Sequence, residues 1–324
     1  MAGTLIDQID DVRLTVLENE RLFTSDTIHP TVREKYEQNG YDQQPKSKAE
    51  RDERGLKGGW NGLNSSFTEL KLDTSSGRRV LVATIAPTRY LVGEAMRAVV
   101  ANMKNQGYSP DEIAKYASNA SPNMANVSVV CPVKHNGEHH LLAQIKGADN
   151  LGGGEIHTGL VAGNVDVKFL ARHNGQLVYT NPLASALQRE ALEEMGLSLK
   201  QIGYTGFDHL VDERITGQVN LAAVAQGIEL ETVLHAYDAH AKKVFEGGKT
   251  PEVQGLTALP MQGLTLVPLE GGRFALDDIV WYLPTKDGLK EQKDRRTVRP
   301  YTEATLAYIA DPDNKKHLLE KAGF

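Results

Sequence analysis

Residues 181–197 read NPLASALQREALEEMGL. Asn181 is a good helix N-cap, Pro182 suits the first turn, and Gly196 is placed for the C-terminal stop. Between them Leu183, Leu187, Ala191 and Met195 recur every four residues, which predicts one helix with a buried stripe. Glu190, Glu193 and Glu194 follow i, i+3, i+4 spacing. At roughly 100° per residue they share one continuous arc beside that stripe. Carboxylates crowded in this way repel one another, and a divalent cation relieves the repulsion. Oxygen-rich carboxylate sets suit Mg2+ or Mn2+. Arg189, one turn before Glu193, is placed to hold its carboxylate. The same spacing also describes a solvated, Glu-rich helix face.

Outward from this helix, strands and helices alternate. Upstream, NVSVVCPV and HHLLAQIKG flank an Asn136-Gly137 turn, and the β character continues through LGGGEIHTGLVAGNVDVKFLA. A second turn falls at Gly175, before QLVYT. Downstream, VNLAAVAQGIEL is a strand, ETVLHAYDAHAKKVF a helix, and LTALP and LTLVPL are short strands; FALDDIVWYLP suits strand or helix. Nearer the N-terminus, SFTELKLD and RVLVATIAP form a hairpin, followed by helices in TRYLVGEAMRAVVANMKNQG and SPDEIAKYASNAS. Residues 33–57 are dense in charge, Gln and Gly and predict an extended arm or loose helix. The pattern is α/β (α+β) and divides into an N-terminal extension (1–125), a central domain (126–284) and a helical C-terminal tail (285–324).

The 324 residues carry 36 Lys+Arg against 42 Asp+Glu, a net charge of −6, which argues against a nucleic-acid binder. An apolar share of 40% with 30 Gly supports a sizeable core. The one cysteine, Cys131, excludes an internal disulfide framework and fits a reducing compartment. No apolar run is long enough for a membrane span, and MAGTLIDQIDD is acidic where a signal peptide is basic. The expectation is a cytoplasmic protein with no membrane partner.

Arg189-Glu190-Ala191-Leu192-Glu193-Glu194-Met195-Gly196-Leu197 resembles the second half of the Nudix box, R-E-U-x-E-E-x-G-U with U apolar, at every position. The first half, G-x5-E-x7, fits less well. Counting back from Arg189 puts Asn181 at the glutamate position and Gly175 at the glycine. A second alignment takes Gly159 or Gly163 as the glycine and treats residues 165–179 as an inserted hairpin. Under both, the first box glutamate is missing. The resemblance implies a mixed β-sheet sandwiched between helices. It also implies hydrolysis of a diphosphate linkage in a nucleoside diphosphate derivative, with Mg2+ or Mn2+. Glu190, Glu193 and Glu194 would be the metal ligands, Glu190 would also help deprotonate the attacking water, and Arg189 would orient the carboxylates. Family members often recruit a further carboxylate from a downstream loop; Glu252 in KTPEVQGLTALP is placed for that catalytic role, with Glu246 as a second option. Arg214 is a candidate substrate contact, and a surface ion pair is its other reading. The resemblance allows for a homodimer. The alternative is a catalytically weak Nudix-fold nucleotide- or metabolite-binding regulatory protein, motivated by the missing glutamate. A third reading makes REALEEMG a surface helix of an unrelated α/β protein.

Other signals carry less. Gly248-Lys249-Thr250 has Lys243 where a phosphate loop needs glycine. Gly152-Gly153-Gly154 reads as a loop between strands, and adjacent His139 and His140 face opposite sides of a strand. The basic KEQKDRRTVR stretch reads as a solvated linker, and Cys131 as core.

Overall fold

A computed structural model describes residues 6–17, 28–54, 61–146, 154–269 and 273–324. The described chain forms two compact units that interleave along the sequence. The first comprises Met1–Val127, Asn164–Ala186 and Phe207–Leu221; the second comprises Ser128–Gly163, Leu187–Gly206 and Ala222–Phe324. The architecture is mixed α+β, as the sequence pattern predicts.

Two short strands, β1 (Ile6–Gln8) and β2 (Asp11–Val16), open the chain, followed by helices α1 (Pro30–Gln38) and α2 (Lys48–Glu53). The polar N-terminal stretch is therefore more ordered than its composition suggests. The reason lies in Val32 and Tyr36, one turn apart on α1 and both buried. They join a cluster with Val92, Met96 and Val99 of α3 (Leu91–Asn105) and Ile113 of α4 (Pro110–Ala120). Ser109 starts α4 with a reciprocal capping box to Glu112. Between α2 and α3 lies the expected antiparallel hairpin of β3 (Leu63–Asp73) and β4 (Val80–Arg89).

Next come β5 (Met124–Val130), β6 (Pro132–His135), β7 (Glu138–Lys146), β8 (Ile156–Thr158) and β9 (Val161–Asn164). The small hairpin β10 (Arg172–His173) and β11 (Gln176–Leu177) turns at Asn174-Gly175, where both residues take positive φ. Helix α5 (Pro182–Met195) is followed by β12 (Phe207–Glu213), β13 (Gln218–Val224) and α6 (Leu230–Glu246). The chain ends with β14 (Val253–Pro260), β15 (Val267–Leu269), β16 (Arg273–Thr285), β17 (Gly288–Thr297), α7 (Pro300–Ala310) and α8 (Pro312–Lys321).

One sheet runs β1-β12-β13-β5-β3-β4-β2, with β9 on β5 and a parallel β2/β4 pair. The other runs β15-β16-β14-β7-β6, with β17 on β16 and β8 on β7. In this second sheet β7 is central, paired with β14, β6 and β8. Trp281 and Tyr237 are fully buried in the second unit, and the Tyr237 hydroxyl donates to Val253 O at 2.7 Å. The segment read as a solvated linker, KEQKDRR, is instead strand β17. Pairing with β16 satisfies its backbone, and cross-strand ion pairs join Arg295 to Asp277 (2.9 Å) and Lys293 to Asp278 (3.3 Å). Among the described residues no helix is long and apolar enough to cross a membrane.

Candidate active site

Helix α5 forms where its caps predict. Asn181 Oδ1 accepts the Ala184 amide at 3.0 Å, and Pro182 is the first helical residue. The helix ends in a left-handed glycine turn of the αL kind: the Gly196 amide donates to Leu192 O (3.1 Å), and the Leu197 amide to Ala191 O (3.1 Å). Gly196 has φ +68°, and a Cβ there would sit 3.1 Å from the His240 side chain. Leu183, Leu187, Ala191 and Met195 are all buried, each large one stabilising by about 1.5–3 kcal/mol.

The three glutamates of the arc do not share one environment. Glu190 is 7% exposed and Glu194 1%, whereas the Glu193 side chain keeps 60% of its surface in solvent. Buried carboxylates need partners, and both have them. Arg189 forms a close ion pair with Glu190 and reaches Glu193 only at 3.7 Å, so it chiefly holds Glu190. Burial raises the pKa of Glu190 above the usual carboxylate range, against the lowering effect of Arg189. Glu194 forms a close ion pair with Lys146 of β7. It also accepts from Gln144 Nε2 and from the Ala162 amide, each at 3.3 Å.

Lys146 is the point where these groups meet. Its Nζ donates to Ala162 O at 3.1 Å and lies 3.7 Å from Glu252 Oε1. Burial pulls its pKa below the ordinary lysine value, while the charges of Glu252 and Glu190 push it back up. The sheet register accounts for Glu252: Val253 pairs with Lys146 across β14 and β7, so the residue before Val253 arrives beside the ammonium. Strand β9 supplies the remaining wall. A Cβ on Gly163 would overlap the Glu190 carboxyl group, so glycine alone leaves room for it.

No family model and no curated protein matches the chain. Among the solved chains that match it is the crystal structure of a MutT/nudix family protein from Enterococcus faecalis, with a TM-score of 0.29 and 11% identity, covering 70% of this chain and 79% of that one. An overlay this loose leaves the chemistry to be read from the chain's own residues.

Arg189, Glu190, Glu194 and Glu252 are thus brought together in the second unit, with Glu193 at the rim. Glu246 is the last residue of α6. Arg214 belongs to the first unit, where its guanidinium pairs with Asp212 at 3.2 Å. His139 packs on Phe324 and His140 on His135, so the two adjacent histidines point to different partners. Residues 152 and 153 of the glycine run lie outside the described residues. Sequence reasoning missed Lys146 and Gln144. Their signal was period-two alternation: in the otherwise apolar HHLLAQIK they put two polar side chains on one face of a central strand.

Proposed function

We propose that this chain is a Nudix-type hydrolase that cleaves a diphosphate linkage in a nucleoside diphosphate derivative with the help of Mg2+ or Mn2+. The single observation that carries the reading is the fold of REALEEMGL. It forms a capped helix whose Glu190 and Glu194 are both buried, Glu190 paired with Arg189 and Glu194 with Lys146, whose ammonium also meets Ala162 O and lies 3.7 Å from Glu252. Carboxylate and carbonyl oxygens already gathered about the Lys146 ammonium are the hard donors that Mg2+ and Mn2+ take. Among the described residues no three His, Cys, Asp or Glu side chains are grouped so that they could hold a metal ion as they stand. Glu190, Glu193 and Glu194, with Glu252, are the side chains that would hold the ion. Bound there, it would offset the charge of the diphosphate and make a water molecule more acidic.

The chain's own residues account for the rest. Arg189 fixes the Glu190 carboxylate through its close pair. Glu190, made more basic by burial, is suited to accept the proton of the attacking water. Glu252, with 47% of its side chain exposed, can reach substrate from the rim. Such a site works mainly by positioning and charge compensation, as phosphoryl transfer requires.

The test is release of phosphate and nucleotide from a panel of nucleoside diphosphate compounds, with Mg2+, with Mn2+ and with chelator, alongside Glu193→Gln and Glu252→Gln. Metal-dependent turnover that falls in both variants is the expected result. Turnover indifferent to chelator and to both substitutions would overturn it. One observation favours a second reading, a binding protein with little catalysis: Asn181 stands at one alignment's first box glutamate and is committed to capping Ala184. Nucleotide binding seen by calorimetry across a panel that shows no turnover would establish that reading.

A further inference from the structure

We infer that Lys146 is the resident counter-cation of this site, and that a divalent cation enters by displacing its ammonium from Glu194. The inference rests on the hydrolase reading above for the identity of the incoming ion. Its geometry is independent of it. The Lys146 side chain is 8% exposed and that of Glu194 is fully covered. Nζ takes Glu194 Oε1, Glu252 Oε1 and Ala162 O, three oxygens from three different segments of chain.

Charge points the same way. Four carboxylates, Glu190, Glu193, Glu194 and Glu252, meet Arg189 and Lys146, and the charge of Arg299 also reaches Lys146. Arg189 is spent on Glu190. Among the described residues Lys146 is the cation paired with Glu194, beside the neutral donors Gln144 Nε2 and the Ala162 amide, and an ion arriving at Glu194 meets a positive charge already in contact with it. Like charges a few ångströms apart in a half-dry site repel strongly. Lys146 therefore lowers the affinity for metal and holds Glu194 in place until metal arrives. It is a positioning residue whose removal strengthens metal binding, the opposite of what loss of a ligand does.

The experiment is calorimetric titration of the full chain with Mn2+ alone, without substrate, comparing wild type with Lys146→Met. The inference expects the variant to bind Mn2+ at least ~10-fold more tightly, since one repelling charge is gone. It also expects Mn2+ to raise the melting temperature of the variant more than that of wild type. Equal or weaker binding by the variant, with wild-type metal binding intact, would overturn the inference and leave the hydrolase reading standing. Binding by neither protein up to ~10 mM Mn2+ would overturn both. Should Lys146→Met fail to fold because Glu194 is left buried without its partner, Lys146→Gln keeps a donor toward Glu194 and carries the same expectation. Lys146→Arg keeps the charge and is expected to bind no more tightly than wild type.

Discussion

Glu193 and Glu194 are adjacent in sequence, and substitution of each should fail in a different way. Glu193→Gln removes an exposed carboxylate, so the melting temperature should stay within a few degrees while turnover falls by orders of magnitude. Glu194→Gln strips the buried Lys146 of its closest charge partner, which costs about 3 kcal/mol or more, so a drop in activity there is compounded by unfolding. Chemical denaturation of the two variants separates the cases. Gly163 offers a cleaner probe of position. In Gly163→Ala the new methyl group meets the end of the Glu190 side chain, which can swing aside. Stability should change by no more than about 1 kcal/mol, while turnover drops at least ~10-fold because the carboxylate is displaced. Normal turnover in Gly163→Ala would mean that the position of Glu190 does not matter to the reaction.

At the scale of elements, the ends of α5 decide where its carboxylates fall. Asn181→Ala removes the bond to the Ala184 amide and should cost about 1 kcal/mol. Gly196→Ala forces a Cβ into a left-handed conformation and against His240, costing about 1–2 kcal/mol. Urea unfolding curves with unchanged slope and shifted midpoint would report both losses. This helix was readable in the sequence from cap to stop, because its signals are local: a capping side chain, a four-residue apolar repeat and a terminal glycine. The pairings around it were not. Lys146 and Glu194 are 48 residues apart, and only the folding of β7 against the helix brings them together. Glu252 was legible as a loop acid, but its neighbour across the sheet was not, since register depends on which strands meet. The linker reading of residues 290–299 failed for a related reason. Composition reports how polar a segment is, and an edge strand can be as polar as a loop.

At the scale of the whole molecule, pH should expose a buried histidine in the second unit. His157 of β8 is 6% exposed and stacks on Tyr301 of α7, ring centroids 4.8 Å apart. Burial first, then the nearby charges of Arg299 and Lys146, hold its pKa well below the usual 6.5. Below that pH the unfolded chain takes up a proton that the folded chain refuses. Stability is therefore lost as pH falls from 6.5 toward the folded-state pKa, by up to ~1.4 kcal/mol per pH unit. His157→Phe should flatten that part of a melting-temperature profile, and an unchanged slope would assign the acid sensitivity elsewhere. The interleaving of two units could not be read from the chain, whose composition changes gradually and suggests three consecutive blocks. Contacts between distant segments define the units, and no local signal marks them.

The last long strand has a bearing on how the protein behaves in a crowded solution. Among the described residues β17 pairs with β16 alone, which makes it an edge of the described sheet. Lys290, Glu291, Lys293 and Arg295 stand exposed along it. A second molecule that docked there in fibril fashion would stack these charges against its own copies or strip them of water. The border of the sheet thus carries its own deterrent to runaway self-association, written in the same run of residues whose composition first suggested a loop.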